Sequence, residues 1–387
     1  MAGIYIHIPF CRQACHYCDF HFSTSMKHKE EMIEALMTEI ALRKDEMNGE
    51  IVETIYFGGG TPSRLSPQEL EQIIGEVYKH HAVAEAIELT IEVNPDDLIE
   101  GDPDKLLQEY KAIGVNRLSI GIQSFREEDL KLMNRAHNAG EALKCLETAT
   151  KYFDNISVDL IYGIPGLSDE AWKQNIETAL SFGIPHISSY ALTVEPKTAL
   201  EHFIKKGVID DPSDDQAARQ FDILVEALGK HGFVHYELSN FGNPGYFSIN
   251  NSAYWQGKKY LGIGPSAHSY DGTTRSWNIA SNPKYIKSLQ QGELPLERET
   301  LTMKDRYNEY LMTGLRTIWG VSIDRIRSEF GPAFSDHLLE QSQAHIREGY
   351  LKLEEDEGET LLKTTAKGKF LADGLASDLF LLNLQES

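Results

Sequence analysis

Cys11, Cys15 and Cys18 fall within eight residues, in the run Ile8-Pro9-Phe10-Cys11-Arg12-Gln13-Ala14-Cys15-His16-Tyr17-Cys18-Asp19-Phe20. Three soft thiolates on one tight loop can each hold one iron of a cubane iron–sulfur cluster, leaving the fourth iron open to a non-protein ligand. A zinc site completed by a distant fourth ligand competes with that reading, as do three unrelated thiols. Zinc modules usually bring their ligands as two pairs, however, and no second Cys/His pair stands out. Cys145 is separate: it lies 127 residues past Cys18 at helical spacing with Leu143, Leu146 and Ala149, and reads as a buried structural thiol.

The loop must be held by something, and the chain around it alternates short β-rich runs with helical patterns. The β runs are Gly3–Ile8, Ile51–Phe57, Ile87–Val93, Arg117–Ile122, Ile156–Ile161 and His186–Leu192. Ile33, Leu36, Met37 and Ile40 recur at helical spacing, and Ser66-Pro67 reads as a helix N-cap with proline at the first position. Six strand–helix units in series imply parallel strands with right-handed crossovers. Six are too few for a full eight-fold barrel, so the expected fold is α/β, a partial (β/α)6 TIM-like barrel over residues 1–235. The pattern then weakens, and residues 236–300 read as an irregular segment across the barrel mouth. Helices at Asp305–Ile318, Ile323–Phe330 and Phe334–Gly349, then a hairpin around the acidic turn Glu354–Gly358, make residues 301–387 a winged-helix-like module. Residues 305–387 carry nine Lys and Arg against fifteen Asp and Glu, a net of −6, which argues against DNA binding by that module.

The whole chain of 387 residues has 37 Lys and Arg against 59 Asp and Glu, a net charge of −22, and is 41% apolar. That composition is globular and long enough for more than one domain. Four cysteines exclude a densely bridged secreted scaffold, and the acidic balance excludes a broad phosphate-binding surface. The first 25 residues lack a signal-peptide pattern, and no stretch approaches a spanning helix. The expected compartment is the cytoplasm.

The three-cysteine spacing, with Tyr17 before the last thiol, resembles the radical S-adenosylmethionine (SAM) superfamily. The likeness extends through Gly58-Gly59-Gly60-Thr61-Pro62 after the second strand, matching a glycine motif that receives the SAM amino group. Glycines there let backbone amides approach a ligand, although such a run alone would also make an ordinary βα turn. The coproporphyrinogen-oxidase-like branch matches further: Tyr5 in the opening strand, Glu92 in Ile91-Glu92-Val93-Asn94-Pro95, Gln123, Arg135 in Asn134-Arg135-Ala136-His137, and Asp159 in the Val158-to-Gly166 run. The resemblance implies SAM contacts from Tyr5, Phe20, Gly59, Gly60, Thr61, Glu92, Gln123, Arg135 and Asp159, with a 4Fe-4S cluster on Cys11, Cys15 and Cys18. Carboxylate, amide and guanidinium groups suit a ligand with ribose hydroxyls, a carboxylate and a sulfonium.

Within the branch, the oxidases carry a cysteine two positions after the third cluster thiol and a long N-terminal extension. Phe20 occupies that position here, and the chain begins ten residues before Cys11. Both features resemble the HemW type, a haem-chaperone family, and imply haem as cargo and haem proteins as clients, membrane-bound ones not excluded. That family often has a His-Asn-x-x-Tyr-Trp haem motif. Asn251, Tyr254 and Trp255 match it, but Asn250 stands at the histidine position, and an amide is a poor axial ligand. Tyr254, His235 and His268 are the alternative ligands nearby. Anaerobic decarboxylation of coproporphyrinogen III, or another radical SAM reaction such as methyl transfer or porphyrin cleavage, are the enzymatic alternatives.

Overall fold

The computed structural model describes residues 2–356 and 358–382. Strands β1 (Ala2–Ile8), β2 (Val52–Gly59), β3 (Val83–Val93), β4 (Arg117–Gln123), β5 (Ile156–Tyr162) and β6 (His186–Ala191) lie side by side in chain order. Every neighbouring pair among them is parallel. β1 and β4 are buried along nearly their whole length, as strands covered on both faces are, although β4 alternates polar and apolar residues. Helices cover the outer face, among them Lys29–Leu42, Pro67–His80 and Ala139–Ala149. Ser66 caps the second with a full capping box to Glu69. In the third, Ala142, Cys145, Leu146 and Ala149 face the core while Leu143 points outward. This is the partial α/β barrel that six strand–helix units require.

Residues 236–300 are not the irregular segment expected. At one sheet edge β7 (Val234–Glu237) and β8 (Asn240–Gly242) add antiparallel to β6. At the other, β9 (Lys259–Ile263) pairs parallel with β1, and β10 (His268–Tyr270), β11 (Thr274–Asn278) and β12 (Leu296–Thr300) continue antiparallel. The segment therefore lengthens the sheet at both ends to twelve strands. Strands of three to five residues are too short to show a period, and their partners, β1 and β6, are far away in sequence.

What fastens the extension is a buried network. Arg43 bridges Glu39 at 2.9 Å and the carbonyl of Gly262 at 2.8 Å, while Glu39 accepts from the Gly264 amide, the Asn278 amide and the Tyr285 hydroxyl. Both charged side chains are essentially fully buried, so each depends on the other for compensation.

The remaining chain forms a second core of Tyr307, Leu311, Leu315, Val321, Ile326, Leu338 and Leu362, among others. It comprises helices Met303–Leu315, Ile323–Glu329 and Pro332–Arg347 around a small antiparallel sheet of β13 (Val321–Ser322), β14 (Leu351–Asp356) and β15 (Glu359–Thr364). Among the described residues, no helix is long and apolar enough to cross a membrane.

Candidate functional site

The cysteine loop leaves the carboxyl end of β1 and is laced to three neighbours. The Gly60 amide donates to the Ile8 carbonyl at 2.9 Å and the Thr61 amide to the Phe10 carbonyl at 2.7 Å. The His16 amide donates to the Met133 carbonyl, and Gln13 and Asn134 exchange side-chain bonds with each other's segments. Arg12 meets Asp96, Asp97 and Glu100. A loop fixed on three sides holds its thiols in place before any metal arrives, which is the preorganisation such a site needs.

Glycine is required where the turn after β2 meets this loop. Gly59 has φ +103°, and a Cβ there would overlap the His7 ring at 2.3 Å. A Cβ on Gly60 would sit 2.7 Å from the Ile8 carbonyl and 2.8 Å from backbone atoms of Phe10. The run is thus explained first by backbone packing against the cysteine strand.

Cys11, Cys15 and Cys18 are half-buried, and all three line one cavity of about 490 Å³ at the strand ends. Burial pushes the Cys11 thiol up and the Cys18 thiol up to about 11, so metal binding there must displace protons. The same cavity is lined by Phe20, Gly59, Gly60, Thr61, Glu92, Gln123, Arg135 and Asp159. Eight residues singled out by type and position therefore converge with the three thiols in one space. Among the described residues no three His, Cys, Asp or Glu groups converge as a single ion demands. A cubane takes one thiolate on each of three irons, so three thiols complete its protein ligands, whereas tetrahedral zinc needs a fourth.

Arg135 is the electrostatic centre of this cavity. Its Nη1 donates to Cys15 Sγ at 3.4 Å, and Nη2 donates to Asn94 Oδ1 at 2.7 Å and the Gly121 carbonyl at 2.9 Å, while Nε is buried with no partner. An unsatisfied guanidinium nitrogen beside polar groups marks room for an anionic or hydroxyl ligand. Gln123 ends β4 at φ +65°, a strained conformation for a non-glycine residue that turns its amide toward the cavity. Glu92 accepts from the Tyr56 hydroxyl at 2.8 Å and from the Gly59 amide at 3.2 Å, and burial raises its pKa. Burial, together with Glu92, pushes Asp159 up to about 7. Carboxyl groups this desolvated gain by donating to, or being compensated by, a polar ligand.

Tyr5 departs from the expectation. It lines a second cavity of about 650 Å³ rather than the cysteine cavity, although its ring and Glu92 both abut Gly58. Side chains alternate along β1, and Tyr5 shares its face with His7, whose Nδ1 accepts from the Tyr5 hydroxyl at 3.2 Å. Asp19 and Phe20 line both cavities, and Phe20 is 67% exposed, so the residue after the cluster loop forms a shared wall.

The haem motif residues also divide. Tyr254 and Trp255 line the second cavity. Asn251 does not; it lines a small space inside the barrel with Asp159 and Ser188. Asn250 is buried, accepting from the Thr54 hydroxyl at 3.0 Å and donating its amide N–H to Glu88. In the helix Ile249–Trp255 a spacing of three and four would put Asn251 on one face with Tyr254 and Trp255, so helical periodicity does not account for the split. His235 lies at the opposite sheet edge, stacked on Phe241 at 4.1 Å, and lines neither cavity. Asn94 and Tyr56, which position Arg135 and Glu92, were not singled out in the sequence; Asn94 was visible as the neighbour-but-one of Glu92, Tyr56 only through its place on β2.

Comparison with known proteins gives a consistent result. The radical SAM superfamily matches residues 5–179 and the HemN C-terminal domain matches residues 301–371. The chain is 34% identical to the heme chaperone HemW of Bacillus subtilis, over 91% of this chain and 95% of that one. It is 32% identical to the heme chaperone HemW of Mycobacterium tuberculosis, over 97% and 94%. Among solved structures, the coproporphyrinogen III oxidase HemN of Escherichia coli superposes with a TM-score of 0.82 at 23% identity, covering 98% of this chain and 90% of that one. That likeness is one of fold.

Proposed function

The chain belongs to the family of the haem chaperone HemW, within the radical SAM superfamily, and from that membership we propose that it binds haem and hands it to client haem proteins. The observation that carries this is identity of 32–34% to haem chaperones along nearly the full length of both partners. The oxidase shares the fold at 23% identity, and Phe20 stands where the oxidases' additional cysteine is expected.

The cysteine cavity supports a 4Fe-4S cluster on Cys11, Cys15 and Cys18 with SAM beside it. When bound, these groups supply one-electron chemistry at a carbon–sulfur bond. The chain's own residues bind and orient. Arg135 places a fixed positive charge at Cys15 and offers its free Nε to a ligand oxygen. Glu92, held by Tyr56 and Gly59, is aimed at an amine or hydroxyl, as is Asp159. Gln123 offers an amide, and Phe20 contributes part of the cavity wall. Tyr5 serves the neighbouring cavity.

The test is to load the anaerobically reconstituted protein with haem, remove free haem by gel filtration, and assay coproporphyrinogen III loss in parallel under reducing conditions. Retained haem without substrate loss is expected. An intact cluster with no retained haem, or turnover of coproporphyrinogen, overturns the reading.

A further inference from the structure

Resting on that haem-chaperone reading, we propose that the cavity between β9–β11 and the C-terminal module seats the haem, that His268 is its axial ligand, and that Arg306 pairs with a propionate. The cavity of about 650 Å³ lies within the range of cofactor sites and is walled by aromatic rings. Tyr254 packs edge-on against Tyr260 at 4.6 Å, and Tyr260 lies 6.2 Å from Tyr270. Such a wall suits a flat, extended π-system.

Three histidines line it: His7, His21 and His268. His7 is committed, because its Nε2 donates to the His21 carbonyl at 2.8 Å and its Nδ1 accepts from Tyr5. His21 uses Nε2 on Asn282 Oδ1 at 2.7 Å. His268 makes no hydrogen bond through either ring nitrogen among the described residues, and its ring is exposed. Its aim is built in. On β10 the alternation sends Ser269 inward to Arg43 and the Gly262 amide, which leaves His268 and Tyr270 on the cavity face. The ring lies 6.1 Å from Trp277 on the paired strand.

The cations of the cavity are not equivalent. Arg275 pairs with Glu309 at 2.7 Å, and Arg325 pairs with Glu329 while stacking on Tyr310. Arg306 has no carboxylate partner among the described residues; its guanidinium lies 5.6 Å over the Phe330 ring. It is the free positive charge in the cavity, suited to a carboxylate brought by a ligand. Asn250 does not line this cavity: its side chain accepts from Thr54 and hydrogen-bonds Tyr254 behind the wall. A histidine from β10 thus supplies what the motif position lacks.

The experiment titrates haem and haem dimethyl ester into the reconstituted full chain, wild type and variants, followed by Soret difference spectra. His268→Ala should remove the histidine-ligated spectrum and weaken binding about tenfold or more. Imidazole should restore that spectrum on haem that stays with the variant through gel filtration, which an unfolded variant would not retain. Arg306→Ala should weaken haem binding about tenfold, with no further effect on the dimethyl ester. His21→Ala should leave the spectrum unchanged. Saturable wild-type binding with an unaltered His268→Ala spectrum, or with the ester bound as tightly as haem, overturns this site and leaves the chaperone reading standing. No saturable binding by the wild type overturns both.

Discussion

Replacing Gly60 by alanine is a steric test of how the cysteine loop is held. The added methyl would lie 2.7 Å from the Ile8 carbonyl oxygen and 2.8 Å from both the amide and the carbonyl of Phe10. All three are backbone atoms, so no side chain can swing aside, and the two segments must part by roughly half an ångström in a close-packed interior. The displaced atoms are those of two hydrogen bonds, Gly60 to Ile8 and Thr61 to Phe10, that join the turn to the residue before Cys11. Overpacking of this kind costs about 1–3 kcal/mol, and the movement passes directly into the first thiol. Gly75→Ala is the matched control: it lies inside helix Pro67–His80 with nothing within 4 Å of the new methyl, and should stabilise by about 0.5–1 kcal/mol. Urea unfolding measures the stability of both, and iron content after anaerobic reconstitution measures the site. Gly60→Ala should lose stability and most of its iron while Gly75→Ala keeps both. A Gly60→Ala protein with wild-type stability and full iron would refute the reasoning.

Cys15→Ala should abolish the visible absorbance of the cluster after reconstitution, whereas Cys145→Ala, inside the Ala139–Ala149 helix, should keep the iron and cost about 1 kcal/mol; iron analysis separates them. Glu39→Ala takes from the buried Arg43 one of its two carboxylate partners, leaving Glu46, and strips the Gly264, Asn278 and Tyr285 donors of their acceptor. It should destabilise by about 3 kcal/mol, measured by urea unfolding, with loss of cooperativity pointing to release of the β9–β11 extension. Asp159→Asn tests the raised carboxyl. With the folded value up to about 7 against an ordinary 3.8, the folded protein binds the extra proton, so this stabilisation is full below 3.8 and lost as pH rises to about 7. The cluster-free variant should therefore lack that decline and exceed the wild type by at least about 1 kcal/mol above pH 7. Equal pH profiles would remove the claim.

Much of this architecture could be read from the residues. The six parallel strands announced themselves because each is long, apolar and followed by a periodic helix. The cysteine cavity was legible because its members sit at strand ends, and a parallel sheet brings every such end to one side. Tyr5 pairs with Tyr56 and abuts Gly58 beside Glu92, yet it lines the neighbouring cavity, a division that no strand period predicts. The sheet extension was missed because β7 to β12 are too short to show a period, and the joins to the main sheet are distant, β8 to β6 about 50 residues back and β9 to β1 about 250 back. Helix Ile249–Trp255 shows the same limit: adjacent motif residues look like one site in sequence, yet Asn251 and Tyr254 serve different cavities. His268 and Arg306 come from separate elements with no shared motif. His268 is a candidate ligand in the sequence by its nearness to the motif, but only convergence in space pairs it with Arg306 and separates it from His235.

The central claim, that this chain carries haem, is tested most directly by equilibrium haem titration of the cluster-loaded protein under anaerobic conditions. The account predicts saturation at one haem per chain with micromolar or tighter affinity. Linear, unsaturable uptake by protein whose cluster is intact would contradict it.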